Sequence, residues 1–274
     1  MPLTPGSSVP FLLLREPWSP TEAQRIAAAL RAPRLVAEFR GGAERVRFEG
    51  ERGAVEIFRN SRSFRWRAAP SGGVTVESRT PLAALHALVG PDAMALLSEE
   101  LNLDRSRPQL RMTNMEAQEV VRRTEVVGPS GERTVRTSVR AYTASVAFLW
   151  DDTPIVGARL IATFGDASRV EALDLYWNQP VQPERTVQTL THDQLDAALR
   201  CKGAGRDRWV GSPTISYHLG YPSKRQRVLP PLYRVDLRVE QHTARVFCTA
   251  FRASNLREAH PDWFDPYLGD VLVL

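Results

Sequence analysis

The feature that most constrains the fold is a series of short alternating segments separated by turn residues. Between positions 34 and 78 the chain reads RLVAEF, ERVRFEG, GAVEIFR, SFRWRAA and GVTVES in succession. Val46 and Phe48 share one face of the second segment, and Phe64 and Trp66 share one face of the fourth, with arginines opposite them. Because successive side chains of a strand point to opposite faces, this pattern predicts an antiparallel meander with one buried face.

Longer segments with strand character follow from about position 109. The stretch EVVRRTEVVGPSGERTVRTSVRAYTASVAFLW predicts a hairpin that turns at 129–131, and TPIVGARLIATFGDASRVEALDLYW predicts another that turns at 165–168. The segment MTNMEAQEVVRR fits either a strand or a helical turn. The last predicted strands are TISYHLGY, VLPPLYRVDLRVE and ARVFCTAFRAS.

Helix start signals interrupt these strands. WSPTEAQRIAAALRAP places Ser19 at an N-cap with Glu22 three residues later, and LTHDQLDAALR repeats this capping box with Thr191 and Gln194. Thr80 precedes a third apolar stretch, which a Gly-Pro pair divides into two short helices. The sequence therefore predicts helices at three places along the chain.

The order of these elements is helix, strands, helices, strands, helix, strands. Runs of strands punctuated by single helices are typical of α+β proteins. We therefore expect antiparallel sheets, each crossed by one or two helices, in two similar lobes. A boundary near Pro108 divides the chain into an N-terminal lobe, 1–108, and a C-terminal lobe, 109–274.

Part of the second half resembles PepSY-like domains. The residues concerned are DDTPIVGARLIATFGDASRVEALDLYW and the later PPLYRVDLRVE and ARVFCTAF, within about 137–254. The resemblance implies a helix packed on an antiparallel sheet and a non-catalytic role, since such modules are associated with peptidase inhibition, propeptides and regulation at the cell envelope. These modules are often accompanied by an export signal and a protease domain, and neither is evident in this sequence. Of the roles that the resemblance implies, we therefore expect only partner binding to apply to this chain.

The charge of the chain is basic but mixed. Of 36 cationic residues only Lys202 and Lys224 are lysines, and the formal net charge is +5. Acidic residues are interleaved with the arginines and no standard recognition motif is present, so the sequence does not favour a nucleic-acid partner. The N-terminus has no basic segment before an apolar core, and no apolar run approaches the roughly 20 residues of a membrane span. We therefore expect no membrane span and a cytoplasmic location.

Chemical motifs are scarce. There is no G-x-S-x-G, P-loop or dinucleotide fingerprint, and the five histidines are scattered. The densest group of potential metal ligands, in REAHPDWFD near the C-terminus, is better explained as a tail anchored by its aromatic residues. Asp151 and Asp152 predict a turn. We expect the thiols of Cys201 and Cys248 to be buried, and the sequence does not decide whether they form a disulfide. We expect no metal site and no cofactor, and we assign no catalytic residue.

The best candidate for a binding surface is the start of GYPSKRQRVLPPLYRVDLRVE at 220–240. Aromatic and cationic side chains surround a loop between two predicted strands and could grip an acidic peptide or anchor a protein interface. These residues are Tyr217, Tyr221, Lys224, Arg225, Arg227 and Tyr233. The competing interpretation is a solvated loop before a strand whose buried face carries Tyr233, Val235, Leu237 and Val239.

The sequence thus favours a non-catalytic protein-binding or regulatory, inhibitor-like module. Its partner would be another protein or an acidic peptide segment. The alternative is an enzyme or a small-ligand-binding protein with a pocket between the two lobes, because residues of such a site can come from distant strands without forming a motif.

Overall fold

The computed structural model describes residues 3, 5–39, 44–70, 72–115, 117–127, 132–220, 226–251 and 271–272. This part of the chain contains the helices α1 (Pro20–Ala29), α2 (Pro81–Leu88), α3 (Pro91–Glu100) and α4 (His192–Arg200). Its strands are β1 (Ser8–Leu14), β2 (Arg34–Phe39), β3 (Arg45–Gly50), β4 (Gly53–Phe58), β5 (Ser63–Ala68), β6 (Val74–Thr75), β7 (Leu110–Asn114), β8 (Gln118–Val127), β9 (Arg133–Trp150), β10 (Thr153–Phe164), β11 (Arg169–Tyr176), β12 (Pro180–Gln188), β13 (Thr214–His218), β14 (Val228–Leu229), β15 (Pro231–Val239), β16 (His242–Thr249) and β17 (Val271–Leu272).

The described strands form two sheets. A three-stranded sheet has the order β12-β1-β14, and a fourteen-stranded sheet runs β17-β16-β15-β13-β10-β11-β5-β4-β3-β2. In the larger sheet β6 also pairs with β11 and β9 with β10, and β7 and β8 pair with β9. Pairing is antiparallel except between β10 and β13 and between β16 and β17. The prediction of a mixed α+β protein with antiparallel strands is confirmed at this level.

The meander β2 to β5 is antiparallel and has the predicted buried face. Each strand pairs with the next one, and Gly50 and Gly53 flank the two-residue turn between β3 and β4. Phe48, Phe64 and Trp66 are buried, whereas the arginines between them are at least partly accessible. Burial of one face fixes the register, because a slip of one residue would expose all of these apolar side chains.

The large sheet joins strands from both sides of Pro108. β11 lies between β10 and β5, with Leu173 opposite Trp66 and Leu175 opposite Phe64. Nearly all of the buried apolar residues of the described chain belong to one cluster that extends from β1 and α1 to β16. The predicted lobe boundary therefore lies between segments that share both a sheet and a core.

The helix caps are those that the sequence predicts. In α1 the Glu22 N–H donates to Ser19 Oγ at 3.2 Å and the Ser19 N–H donates to Glu22 Oε2 at 2.7 Å. Thr191 and Gln194 make the same reciprocal pair at the start of α4, at 3.3 and 2.9 Å. Such boxes satisfy amide groups that have no partner inside the helix.

Two segments differ from the sequence-based expectations. The helical alternative for MTNMEAQEVVRR is wrong, because β7 and β8 both pair with β9. The apolar run at 11–14, for which no structure was predicted, belongs to β1, which is buried between β12 and β14.

Asp151 and Asp152 form the predicted turn, with φ of +47° and +64° between β9 and β10. The predicted turn at 129–131 lies outside the described residues.

Candidate functional site

The two tyrosines of the predicted binding surface lie in the core. Tyr217 on β13 is 1% exposed and Tyr233 on β15 is fully buried. The Tyr217 hydroxyl donates to the Pro10 carbonyl at 3.0 Å, and the Tyr233 hydroxyl donates to the Leu190 carbonyl. Burial raises the pKa of Tyr217 above its ordinary value and that of Tyr233 to about 12, so both phenols keep their protons at neutral pH. These rings fasten β13 and β15 to neighbouring segments and offer no face to a partner.

Only one of the four remaining predicted site residues lies in the described part of the chain. Tyr221, Lys224 and Arg225 fall outside it, whereas Arg227 is exposed and its carbonyl accepts a hydrogen bond from the Leu14 N–H at 2.8 Å. The structure therefore places the end of the loop against β1. The prediction that this loop binds a partner depends on its cations and stays a prediction.

Gln226 closes the neck of this loop. The Gly220 N–H donates to Gln226 Oε1 at 2.8 Å, and Gln226 Nε2 donates to the carbonyls of His218 and Val228 at 3.1 and 2.9 Å. A cleft of about 280 Å³ beside it carries Arg15 and Arg227 but also Glu16 and Glu184. The charges of this cleft balance, so it shows no preference for an acidic segment.

On the other side of the neck, the strand after Pro230 matches its predicted pattern in three of four positions. Tyr233, Val235 and Leu237 are buried, and Val239 is 38% exposed where β15 leaves the core. The alternation identified in the sequence is therefore core structure from Pro231 to Leu237.

A two-stranded arm is the most exposed apolar feature of the described chain. We define the arm as residues 118–127 of β8 and 133–141 of β9. β8 pairs only with β9 among the described strands, and β9 pairs with its other neighbours, β10 and β7, only from Tyr142 onward. The arm therefore extends beyond the body of the sheet as a ribbon.

One face of the arm carries four exposed valines. Val121 lies opposite Val139, Val135 lies opposite Glu125, and Val127 lies opposite Arg133, so all six side chains point to the same side. The exposed fractions of Val121, Val127, Val135 and Val139 are 45%, 62%, 66% and 43%. The sequence predicts the hairpin, but only the fold shows that nothing in the described chain covers this face.

A buried ion cluster escaped the sequence analysis. The Glu100 carboxylate, at the end of α3, has no exposed surface and accepts hydrogen bonds from Arg62 Nε at 3.2 Å and Arg15 Nη1 at 2.8 Å. Arg62 also donates to the Glu16 carbonyl at 2.7 Å and lies 5.4 Å from the centre of the Trp18 ring. The cluster ties α3 to β1 and to the turn before β5. No local pattern could reveal it, because Arg15 and Glu100 are 85 positions apart.

The thiols do not form a disulfide. Both cysteines are free, and Cys201 is exposed, so the prediction that it is buried is wrong because it follows the last turn of α4 on the solvent side. Cys248 is buried as predicted, and burial raises its pKa to about 12.

Within the described residues, no group of three or more His, Cys, Asp or Glu side chains is placed to hold a metal ion. The REAHPDWFD segment lies outside those residues. None of the helices in the described part is both long and apolar enough to span a membrane.

Comparisons with known proteins leave the family open. No family model and no curated protein matches the chain. Among solved structures, an uncharacterized protein from Eubacterium rectale aligns over 89% of this chain and 84% of its own, with 10% identity and a TM-score of 0.37. The C-terminal domain of Bacillus megaterium YpeB aligns over 86% of this chain and 95% of its own, with 10% identity and a TM-score of 0.29. Likenesses at this level carry no functional argument.

Proposed function

We propose that this protein is a non-catalytic binding protein whose arm packs against another protein. The observation that carries the proposal is the row of four valines, 43% to 66% exposed, on one face of the arm. The pair Arg123–Thr137 lies in register between the pair Val121–Val139 and the other two valines, so the apolar surface consists of two neighbouring patches. An isolated two-stranded ribbon is marginally stable in water, and exposed apolar surface commonly marks an interaction site. Covering the exposed part of each valine would contribute about 1 kcal/mol.

The form of the arm favours a protein over a small molecule. The arm pairs with the rest of the sheet only at its base, and none of its residues lines the clefts described for this chain, whereas small-ligand sites are concave. Its outer edges also present backbone N–H and C=O groups that a partner strand could pair with. The ion pair between Arg133 and Glu125, at 3.5 Å on the same face, supplies charges of both signs beside the valines. The partner surface that fits is therefore apolar with a mixed-charge border.

The proposal also includes a regulatory, inhibitor-like action, which the PepSY-like pattern at 137–254 implies, and a cytoplasmic location. The predicted loop at 220–227 is a second contact surface in this scheme, and its cations together are the groups that would meet an acidic segment of the partner.

The test compares the arm with a matched pair of valines elsewhere. In Val135→Thr/Val139→Thr the ribbon keeps β-branched residues but loses apolar surface. Val210→Thr/Val239→Thr makes the same chemical change at positions 42% and 38% exposed outside the arm. A photo-crosslinker at position 121 identifies bound proteins by mass spectrometry, and the purified partner is then titrated against each variant. We expect the arm variant to bind at least tenfold more weakly and the control to bind like wild type.

Three further results decide whether the arm is the interface and what its partner is. Equal affinity of the arm variant and the wild type would overturn the role of the arm. Loss of the same partner in Arg227→Glu but not in the arm variant would place the interface at the loop. Light scattering at increasing protein concentration shows whether the crosslinked partner is a second copy of the chain.

A further inference from the structure

A cleft of about 610 Å³ opens between the end of α3 and the start of β7. This volume is in the range of small-molecule binding sites. The cleft is lined by Leu82, Leu101, Asn102, Leu103, Arg105, Arg107, Pro108, Leu110, Arg111 and Met112. It lies at Pro108, the boundary that the sequence predicts between the two halves of the chain.

The inner surface of the cleft is apolar. Leu101 and Leu110 are buried at its base, and Leu82, Leu103 and Met112 are half-buried around it. Four leucines and a methionine can cover an unbranched or branched hydrocarbon, and each methylene group removed from water contributes about 0.8 kcal/mol.

The charged part of the lining is entirely cationic. Arg105, Arg107 and Arg111 line the cleft and no carboxylate does. Arg107 donates one N–H to the Pro180 carbonyl at 2.9 Å, and Arg111 pairs with Asp152 at 3.1 Å. Arg105 is exposed; its backbone N–H donates to the Asn102 carbonyl at 3.1 Å, and its guanidinium has no hydrogen-bond or ion-pair partner among the described residues. At least one guanidinium therefore keeps its full set of donors for a ligand.

The loop that carries Arg105 and Arg107 is fixed in place by Asn102. The Asn102 side chain is 5% exposed and its Oδ1 accepts from the Arg107 N–H at 3.0 Å and the Ser106 hydroxyl at 3.1 Å. Its Nδ2 donates to the carbonyls of Arg107 and Leu110 at 2.9 and 3.1 Å. A loop held by four hydrogen bonds loses little freedom when a ligand binds.

The nearby carboxylate of Asp104 does not occupy the cleft. It accepts the Ser106 N–H at 3.1 Å within the same turn, and this hydrogen bond lowers its pKa. Asp104 interacts with the charge of Arg107 but is not among the residues that line the cleft, so the lining itself keeps only positive charges.

We infer that this cleft binds a small amphipathic carboxylate, with its apolar body on the leucines and its head on the arginines. A planar guanidinium matches a carboxylate through two parallel N–H···O bonds. The apolar lining disfavours a purely ionic ligand, because the leucines would stay in contact with water around it. This site is separate from the arm and its validity does not depend on the partner-binding proposal.

Decanoate, below its micellar concentration, is the probe. Isothermal titration compares it with 1-decanol, which lacks the charge, with decyltrimethylammonium, which reverses it, and with acetate, which lacks the apolar body. We expect saturable binding of decanoate and at least tenfold weaker binding of 1-decanol. Neither decyltrimethylammonium nor acetate should bind. Decanol binding as tight as decanoate binding, or no saturable decanoate binding, would overturn the inference.

Variants locate the site. Arg105→Glu reverses the unpaired cation, and Arg52→Glu makes the same change at an exposed arginine beside a different cleft, lined by residues of β3, β4 and β5. We expect Arg105→Glu to weaken the binding of decanoate at least tenfold and Arg52→Glu to change its affinity less than twofold. Equal effects of the two variants would show a non-specific charge attraction, which contradicts the inference.

Methionine methyl signals give a readout at the cleft itself. Met112 lines it, whereas Met115, three residues later, is 52% exposed and not part of the lining. In protein with labelled methionine methyl groups, decanoate should shift the Met112 resonance and leave that of Met115 in place. A shift confined to other methionines would place the ligand elsewhere and refute the site.

Discussion

At the scale of single residues, Glu100 is the one acidic residue that is buried among the described residues. It is a fully buried carboxylate that two arginines, Arg15 and Arg62, share. Burying charges costs several kcal/mol of lost hydration, which only close pairing offsets. Removal of one charge therefore destabilises the fold more than removal of the whole ion cluster would, because the remaining charges stay buried without compensation.

We predict that Glu100→Ala lowers the free energy of unfolding by about 3–5 kcal/mol. Its neighbour Glu99 provides a matched control, since it pairs with the same Arg15 but its side chain is 62% exposed. Glu99→Ala should cost less than about 1 kcal/mol. Urea titrations followed by tryptophan fluorescence measure both values. Similar losses for the two variants would mean that the buried carboxylate is not a principal tie between α3 and β1.

At the scale of elements, the helices begin where local chemistry predicts. α4 depends on Thr191, because its exposed face and its nine residues give it little stability of its own. Its buried side chains are Leu195 and Leu199, which pack into the common core. The cap fixes the first turn, and the two leucines fix the side of the helix that meets the sheet.

Thr191→Ala should lower the free energy of unfolding by about 1 kcal/mol, because the Gln194 N–H loses its acceptor. Thr191→Ser keeps the hydroxyl and should retain most of the stability. Chemical denaturation of the two variants, with far-ultraviolet circular dichroism as the signal, gives the difference. If serine proves as costly as alanine, the contribution of Thr191 comes from its methyl group and not from the cap.

At the scale of the whole molecule, the pairing of β5 with β11 links the two halves of the sequence. Four residue pairs, from Ala172 with Arg67 to Leu175 with Phe64, join strands about 110 positions apart. Trp177 then stacks on Phe148 with ring centres 3.9 Å apart and donates its indole N–H to the Glu100 carbonyl at 2.8 Å. These contacts are lost together if either half unfolds.

We therefore expect thermal unfolding in one transition, with the calorimetric enthalpy equal to the van't Hoff enthalpy. Glu100→Ala, which lies before Pro108, should shift this whole transition. Two separate transitions, only one of which moves in the variant, would contradict this expectation and support independent lobes at 1–108 and 109–274. Scanning calorimetry at several heating rates distinguishes these cases from irreversible aggregation.

Much of the local structure follows from the sequence alone. The alternation of Val46 and Phe48, the capping residues Ser19 and Thr191, and the turn at Asp151 are governed by contacts between residues a few positions apart. Side-chain period and backbone preference act within such short stretches, so they can be identified without the fold. The same stretches do not specify which strand lies beside which.

The candidate sites, in contrast, were decided by tertiary structure. The sequence marked Tyr217 and Tyr233 as surface candidates because they flank a cationic loop, but β13 and β15 lie inside the sheet and bury both rings. It could not show the open valine face of the arm, since exposure depends on what the rest of the chain covers. The cleft at Pro108 likewise forms from α2, the end of α3 and β7. Sequence determined the elements of this protein, and long-range packing decided which of their faces remain free to bind, because burial is a property of neighbours that are distant along the chain.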